Sequence, residues 1–203
     1  MMLFRCSFLM VIATLATLVC VPARADDPSA REFFRRLPPT IFENTPEGLS
    51  DGEKDELLEN GKTGFWEITH ETADALDMVA LPFRESVVSV RLFHRGPGDS
   101  LAAVGTRGNP VCTIELWRED RNDRIVPVPT PSEPPVRDFF AAGNTPPKDV
   151  EPSVLICLGE QGLEARIVFW NASGMAHVPV DNDVRYEWTQ GTFEKRVTPR
   201  AKE

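Results

Sequence analysis

Residues 87–104 read VVSVRLFHRGPGDSLAAV, and this stretch decides the fold class. In its first half, Val88, Val90 and Leu92 are each separated by one other residue, which is the period of two expected of a β-strand. The Gly-Pro-Gly-Asp run at 96–99 then forces a turn, and apolar residues resume directly after it. The stretch therefore predicts two antiparallel strands joined by a tight connection.

The same strand–turn–strand pattern recurs near the end of the chain. Val184, Tyr186 and Trp188 alternate with charged residues, and residues 189–197 continue with a turn and a second β-prone run. No long apolar pattern of helical period interrupts this part of the sequence. We therefore expect residues 63–197 to form a mainly β domain, an antiparallel meander-rich sandwich or half-barrel.

Two short helices are predicted before the β domain. Ser29 with Glu32, and Ser50 with Glu53, fit the capping box, in which a hydroxyl and a carboxylate satisfy orphan backbone amides. Both helices are too short to be stable alone. We expect residues 26–62 to form an N-terminal helical arm that leans on the β domain.

Chain breakers and polar residues set the remaining boundaries. The first helix is expected to stop before Pro38, and Gly61 is a good left-handed terminator for the second. The polar residues 198–203 follow the last β-prone run, and we expect them to be a disordered tail.

Residues 1–25 have the pattern of a secretory signal peptide. Arg5 supplies the positive start, residues 8–21 are an apolar run, and the small residues at 23–25 offer a cleavage site. The alternative is a retained membrane anchor, for which the apolar run is short. We expect a periplasmic or secreted protein with no stable membrane insertion after cleavage.

The charge balance excludes some partners. The chain carries a formal net charge of −9, and without residues 1–25 it would keep 20 basic against 31 acidic side chains, a charge of −11. Sequence-independent nucleic-acid binding and docking on anionic lipid both depend on basic patches, so neither is expected. An acidic surface permits a cationic partner, and solubility alone also explains it.

Two cysteines remain after signal cleavage, because Cys6 and Cys20 leave with the signal. Cys112 and Cys157 both lie in apolar, strand-like segments, and in an oxidising compartment we expect a single disulfide between them. The alternative is two buried free thiols.

A weak internal duplication is visible. Residues 114–117 (IELW) are followed by Val-Pro-Val at 126–128, and residues 167–170 (IVFW) are followed by Val-Pro-Val at 178–180. Each copy has a cysteine upstream. Similar β-hairpins also arise by chance, so the sequence leaves a true duplication open.

Trp117 and Trp170 end the two apolar tetrapeptides. Because side chains alternate along a strand, each indole lies on the face opposite the neighbouring isoleucine and leucine or phenylalanine. One hypothesis is a flat aromatic platform that binds a glycan or a peptide. The alternative is that other parts of the chain cover both indoles.

Residues 127–152 are rich in proline and too long for an ordinary connection. Within them, Phe139 and Phe140 either pin the segment to the core or form a presented apolar anchor for a partner.

The search for a reaction centre gives little. The sequence lacks a Gly-x-Ser-x-Gly elbow, a phosphate-binding glycine loop and a His-Glu-x-x-His helix, and we expect no metal and no cofactor. A hydrolase would need His94 or His177 to meet Ser100 or Ser173 in the fold. His70 and Glu71 with Asp74 are better explained as solvated loop residues than as a metal cluster.

Residues 181–183, Asp-Asn-Asp, offer oxygen ligands of the kind that calcium takes, but the same residues are ordinary turn formers. We prefer the turn.

Three functional hypotheses follow. The first is a non-catalytic secreted or periplasmic protein that binds a protein or another component of the cell envelope, with Phe139, Phe140, Trp117 and Trp170 as candidate binding residues. The second is an acidic inhibitor-like protein of a basic enzyme. The third, which has the least support, is a hydrolase.

Overall fold

The computed structural model describes residues 28–42, 48–108 and 110–201. The expected signal peptide at 1–25 therefore lies outside the described residues.

Two short α-helices open the described chain, as predicted. α1 is Ala30–Arg36 and α2 is Asp51–Asn60. Both predicted capping boxes are present, with the Ser29 and Ser50 hydroxyls accepting from the amides three residues on. Gly61 ends α2 in the left-handed conformation, with φ at 72°.

The first sheet has six antiparallel strands in chain order, each paired with the next. They are β1 (Trp66–Glu71), β2 (Ala75–Ala80), β3 (Val87–Gly96), β4 (Asp99–Arg107), β5 (Cys112–Glu119) and β6 (Ile125–Val128). The predicted turn at 96–99 joins β3 to β4.

The second sheet has five strands in the order β11-β10-β8-β7, with β9 added on β8. They are β7 (Glu151–Leu158), β8 (Gly162–Asn171), β9 (Gly174–Ala176), β10 (Asn182–Thr189) and β11 (Thr192–Pro199). All pairings are antiparallel. The predicted mainly β, meander-rich fold with two N-terminal helices is therefore confirmed.

The last strand continues past residue 197, where the sequence pattern ended it. Pro199 pairs with Asn182, and the Arg200 guanidinium lies 2.8 Å from the Asp183 carboxylate. Residues 198–200 are thus part of the sheet and its contacts rather than of a disordered tail, because β10 offers partners along this whole length.

One face of the first sheet is covered by the helices. Here the apolar side chains of α1 and α2 pack on alternate residues of the strands, and we call this cluster the helical core. Its buried members include Phe33, Phe34, Leu57, Trp66, Leu76, Met78, Val88, Val90 and Leu92.

The opposite face of the first sheet packs on the second sheet. We call this cluster the inter-sheet core, and its buried members are Phe93, Leu101, Ala103, Leu116, Phe139, Phe140, Leu158, Leu163, Ala165, Phe169, Val184 and Tyr186. The first sheet is therefore the middle of three layers. Gly105 in β4 fits this contact, because a Cβ there would lie 2.5 Å from the Cβ of Leu158.

A buried lysine fastens the two helices together. Lys54 of α2 is 1% exposed, and its ammonium donates to the Leu37 carbonyl at 2.6 Å and to the Arg35 carbonyl at 3.2 Å. These carbonyls end α1, so the positive charge caps the negative end of that helix. Asp51 lies 2.7 Å from the same ammonium and balances its charge.

Candidate functional site

The two cysteines lie where the sheets meet. Cys112 begins β5 in the first sheet and Cys157 lies in β7 of the second. Their sulfur atoms are at disulfide distance and their Cα atoms are 5.5 Å apart. A covalent link here would join the two sheets directly.

Phe139 and Phe140 are buried, at 2% and 8% exposure, and both belong to the inter-sheet core. The Phe140 ring stacks edge-to-face on Phe169, with centroids 6.2 Å apart. They therefore pin the proline-rich segment to the core. The alternative, an apolar anchor presented to a partner, does not fit this placement.

The two candidate tryptophans lie on opposite sides of the molecule. Trp117 is half-buried and packs against the helical core. Trp170 is 36% exposed on the face of the second sheet that is turned away from the inter-sheet core, and it pairs with the exposed Met175 of β9. A shared aromatic platform is therefore not formed, because the tryptophan-bearing strands belong to different layers.

The suspected duplication does not extend to the strand pairing. In the first copy, Trp117 pairs with Pro127 of β6, whereas in the second Trp170 pairs with Met175 and residues 178–180 lie outside any strand. Cys112 also shares a strand with Trp117, while Cys157 lies in the strand before that of Trp170. The two copies are therefore structurally different hairpins.

A cleft opens between the two sheets beside the β3–β4 and β10–β11 turns. It has a volume of about 450 Å³, within the range of small-molecule sites. Its lining is mainly apolar and comes from distant parts of the chain: Arg95, Leu101, Leu116, Arg118, Val128, Pro129, Thr130, Pro131, Trp188, Gly191, Thr192 and Phe193.

Two aromatic rings, Trp188 and Phe193, line one wall of the cleft, and the buried Phe93 ring packs behind them. Trp188 of β10 packs on Phe193 of β11 at 4.9 Å and on Phe93 of β3 at 5.4 Å between centroids. The Trp188 indole N–H donates to the His94 carbonyl at 3.0 Å. This bond ties the second sheet to the first at the cleft and sets the orientation of the indole.

The start of the proline-rich segment forms the opposite wall. The Tyr186 hydroxyl donates to the Ser132 carbonyl at 2.6 Å and holds this segment against the second sheet. Burial and then the negative charges of Asp138 and Glu133 raise the pKa of Tyr186, so its hydroxyl keeps its proton and remains a donor.

The Asp-Asn-Asp run at 181–183 binds the middle of the same proline-rich segment. The Asn182 amide donates to the Asp138 and Phe140 carbonyls at 3.0 Å each, and an Asp181 carboxylate oxygen accepts from the Ala141 amide at 2.9 Å. The preferred turn hypothesis missed this role, because the partners are about 40 residues away in the chain. Among the described residues, no group of three or more His, Cys, Asp or Glu side chains is placed to hold a metal ion.

Two arginines lie at the rim of the cleft. Arg118 is exposed at the end of β5, directly across from Leu101, and Arg95 lies at the end of β3. The Arg95 guanidinium is 4.0 Å from the Asp99 carboxylate. Within the part of the chain that the structure describes, Arg118 makes no ion pair.

A second polar constellation joins His94 to Ser100, which is one of the contacts that a hydrolase would need, and adds Asp74, which the sequence did not connect to His94. His94 Nδ1 lies 2.9 Å from the Ser100 hydroxyl, and His94 Nε2 lies 2.9 Å from an Asp74 carboxylate oxygen. His94 and Ser100 face each other across β3 and β4. Ser100 is only 7% exposed, whereas the His94 side chain is 38% exposed. His177, by contrast, lies outside the strands.

The cleft as a unit is not visible in the amino-acid sequence. The strand that carries Trp188 and the hairpin turns can be predicted from the sequence, but no local signal connects them to Arg118 or to Pro129. A hint was available in the closely spaced prolines 127, 129 and 131, which give a stiff, extended wall.

No known protein family, curated protein or solved structure matches this chain significantly. None of the helices that the structure describes is long and apolar enough to cross a bilayer.

Proposed function

We propose that this chain is a non-catalytic binding protein of the cell envelope, periplasmic or secreted, and that the cleft holds the apolar part of its ligand. The observation that carries the proposal is the lining of the cleft. Leu101, Leu116, Val128, Trp188 and Phe193 contribute apolar surface to a space of about 450 Å³ between two sheets. Such a concave apolar site with a few polar groups is typical of small-molecule binding.

Two further observations support this proposal. The wall formed by residues 129–131 is held by the Tyr186–Ser132 hydrogen bond, so the cleft is preorganised and binding would order little additional chain. The cysteine pair at disulfide distance is compatible with an oxidising compartment, as the expected signal peptide requires.

The test uses N-phenyl-1-naphthylamine, a neutral apolar dye that fluoresces when it leaves water. We expect saturable fluorescence enhancement by the wild-type chain. Thr130→Trp, which fills the cleft from its exposed wall, is expected to weaken dye binding by about tenfold or more. Thr145→Trp is the matched control, since Thr145 is also exposed, also precedes a proline and lies outside the cleft lining.

Equal dye affinity in the two variants, or an enhancement that does not saturate, would contradict the proposal. Each variant is first checked for its near-ultraviolet circular dichroism, because only a folded variant tests the cleft.

A second candidate function is acyl hydrolysis at Ser100, favoured by the Asp74–His94–Ser100 hydrogen-bond chain. In such a reaction, the Ser100 hydroxyl oxygen bonds to the acyl carbon while its proton moves to His94 Nδ1, and Asp74 stabilises the imidazolium through Nε2. The bond from the acyl carbon to the leaving group then breaks, and the leaving group takes that proton. Water, deprotonated by His94, attacks the acyl-serine, releases the acid and restores the Ser100 hydroxyl. The low exposure of Ser100 counts against it.

Diisopropyl fluorophosphate separates the two candidates. A hydrolase forms a phosphoryl ester at Ser100 with loss of fluoride, visible by peptide mass spectrometry and absent from Ser100→Ala. The binding proposal predicts that Ser100 stays unlabelled.

A further inference from the structure

We infer that the ligand of the cleft is an amphipathic anion, a single apolar chain that ends in a carboxylate, and that Arg118 binds its charged end. This inference rests on the proposed function, and it adds the chemical class of the ligand.

The charge of the cleft is opposite to that of the chain as a whole. The full sequence holds 31 acidic side chains, yet none of the cleft-lining residues is an aspartate or a glutamate, and two of them are arginines. A net negative protein repels anions at long range, so a local cationic rim is needed before an anion can bind.

The acidic residues that follow Arg118 in the chain are already engaged elsewhere. The Glu119 carboxylate accepts two hydrogen bonds from Arg36, at 2.7 and 2.9 Å, and the Asp120 carboxylate lies 2.7 Å from the Arg124 guanidinium. The guanidinium of Arg118 is therefore left available at the rim.

Position on the strand places this charge next to the apolar surface. Arg118 and Leu116 are two residues apart on β5, so they lie on the same face, and Arg118 pairs with Leu101 of β4. Both leucines line the cleft. An apolar chain lying on Leu101 and Leu116 would bring its end group to the guanidinium, whose planar fork matches a carboxylate.

The experiment measures displacement of N-phenyl-1-naphthylamine from the full chain by two competitors whose alkyl chains differ by one carbon. Dodecanoate and dodecyltrimethylammonium are compared below their micelle concentrations at about pH 8, where the carboxylate is ionised. We expect dodecanoate to displace the dye at a concentration lower by about tenfold. The difference should shrink at high salt, because the rim is exposed.

Arg118→Gln should reduce the ratio of the two affinities by about fivefold or more. Arg185→Gln is the control, since it removes the same positive charge at a site outside the cleft. Arg185 lies on the outer face of the second sheet, on the side opposite Trp188. It should keep the wild-type ratio.

The outcomes separate this inference from the proposed function. Failure of the dye to bind overturns the binding proposal and this inference with it. Dye binding with equal affinities for the two competitors, or a ratio that Arg118→Gln leaves unchanged, overturns only the inference about the anion. The inference about the anion is also overturned if the protein binds vesicles of anionic phospholipid but dodecanoate does not displace the dye from it.

Discussion

Reduction of the cysteine pair is expected to lower the free energy of unfolding of this protein substantially. Cys112 and Cys157 are 45 residues apart in the sequence, and they connect β5 of the first sheet to β7 of the second. In the chain-entropy treatment, closing a loop of this length lowers the entropy of the unfolded chain and stabilises the fold by about 4 kcal/mol.

The measurement is equilibrium unfolding in urea, followed by tryptophan fluorescence, with and without tris(2-carboxyethyl)phosphine. With a urea slope of about 2 kcal/mol per molar, a loss of about 4 kcal/mol moves the midpoint down by about 2 M. Both cysteines are buried, at 7% and 1% exposure, so the reductant acts on transiently opened molecules and needs long equilibration.

Cys112→Ala/Cys157→Ala is the control, because it removes the pair under test. The reductant should leave its midpoint unchanged. A loss below about 1 kcal/mol in the wild-type chain would refute the reasoning, as would alkylation of both Cys112 and Cys157 in unfolded, unreduced protein.

Three further perturbations follow from individual contacts. Lys54→Met keeps the apolar stem but removes the donor from the carbonyls that end α1, and it should lower the free energy of unfolding by about 2 kcal/mol in urea titrations. Gly162→Ala should lower the free energy of unfolding by about 2 kcal/mol or more, because the new Cβ would clash with the Tyr186 carbonyl oxygen. Gly52→Ala in α2 is its control, because the new Cβ meets nothing within 4 Å and the substitution should be neutral or stabilising. Hydrogen bonds from Arg124 and from nearby backbone amides lower the pKa of Asp120 to about 2, so a carboxyl NMR titration should place its midpoint there. The stability that the ionised carboxylate contributes should be lost only as the pH falls from about 4 to about 2.

Each of these expectations has an opposite outcome that can be observed. Unchanged stability of Lys54→Met would mean that water replaces the ammonium at the end of α1. Equal effects of the two glycine substitutions on the free energy of unfolding would mean that β8 and β10 lie further apart than in the structure. An Asp120 midpoint near 4 would mean that the β5–β6 turn lacks its hydrogen bonds.

The candidate site was only partly predictable from the sequence. The sequence analysis left two roles open for Phe139, and the structure supports packing, because burial depends on which surface the proline-rich segment meets. It treated the two tryptophans as equivalent. The structure separates them, because one strand lies in the middle layer and the other in an outer layer.

Contacts between strands also explain why only one of the two partners of His94 was foreseen. Ser100 is its cross-strand neighbour through a hairpin that the sequence did predict, so that approach was within reach. Asp74 is 20 residues away, and its approach depends on how β2 pairs with β3. The residue pattern within one segment does not specify how β2 and β3 are aligned with each other.

The sequence by itself determined the elements of this protein. A period of two in residues 87–104 and 184–188 predicts strands, and two serine–glutamate pairs start the helices, because these signals act between residues a few positions apart. Tertiary structure alone decided the three layers, the cleft and its cationic rim. These features depend on which apolar faces pack together, and that choice minimises the exposed apolar surface of the whole chain rather than of any one segment.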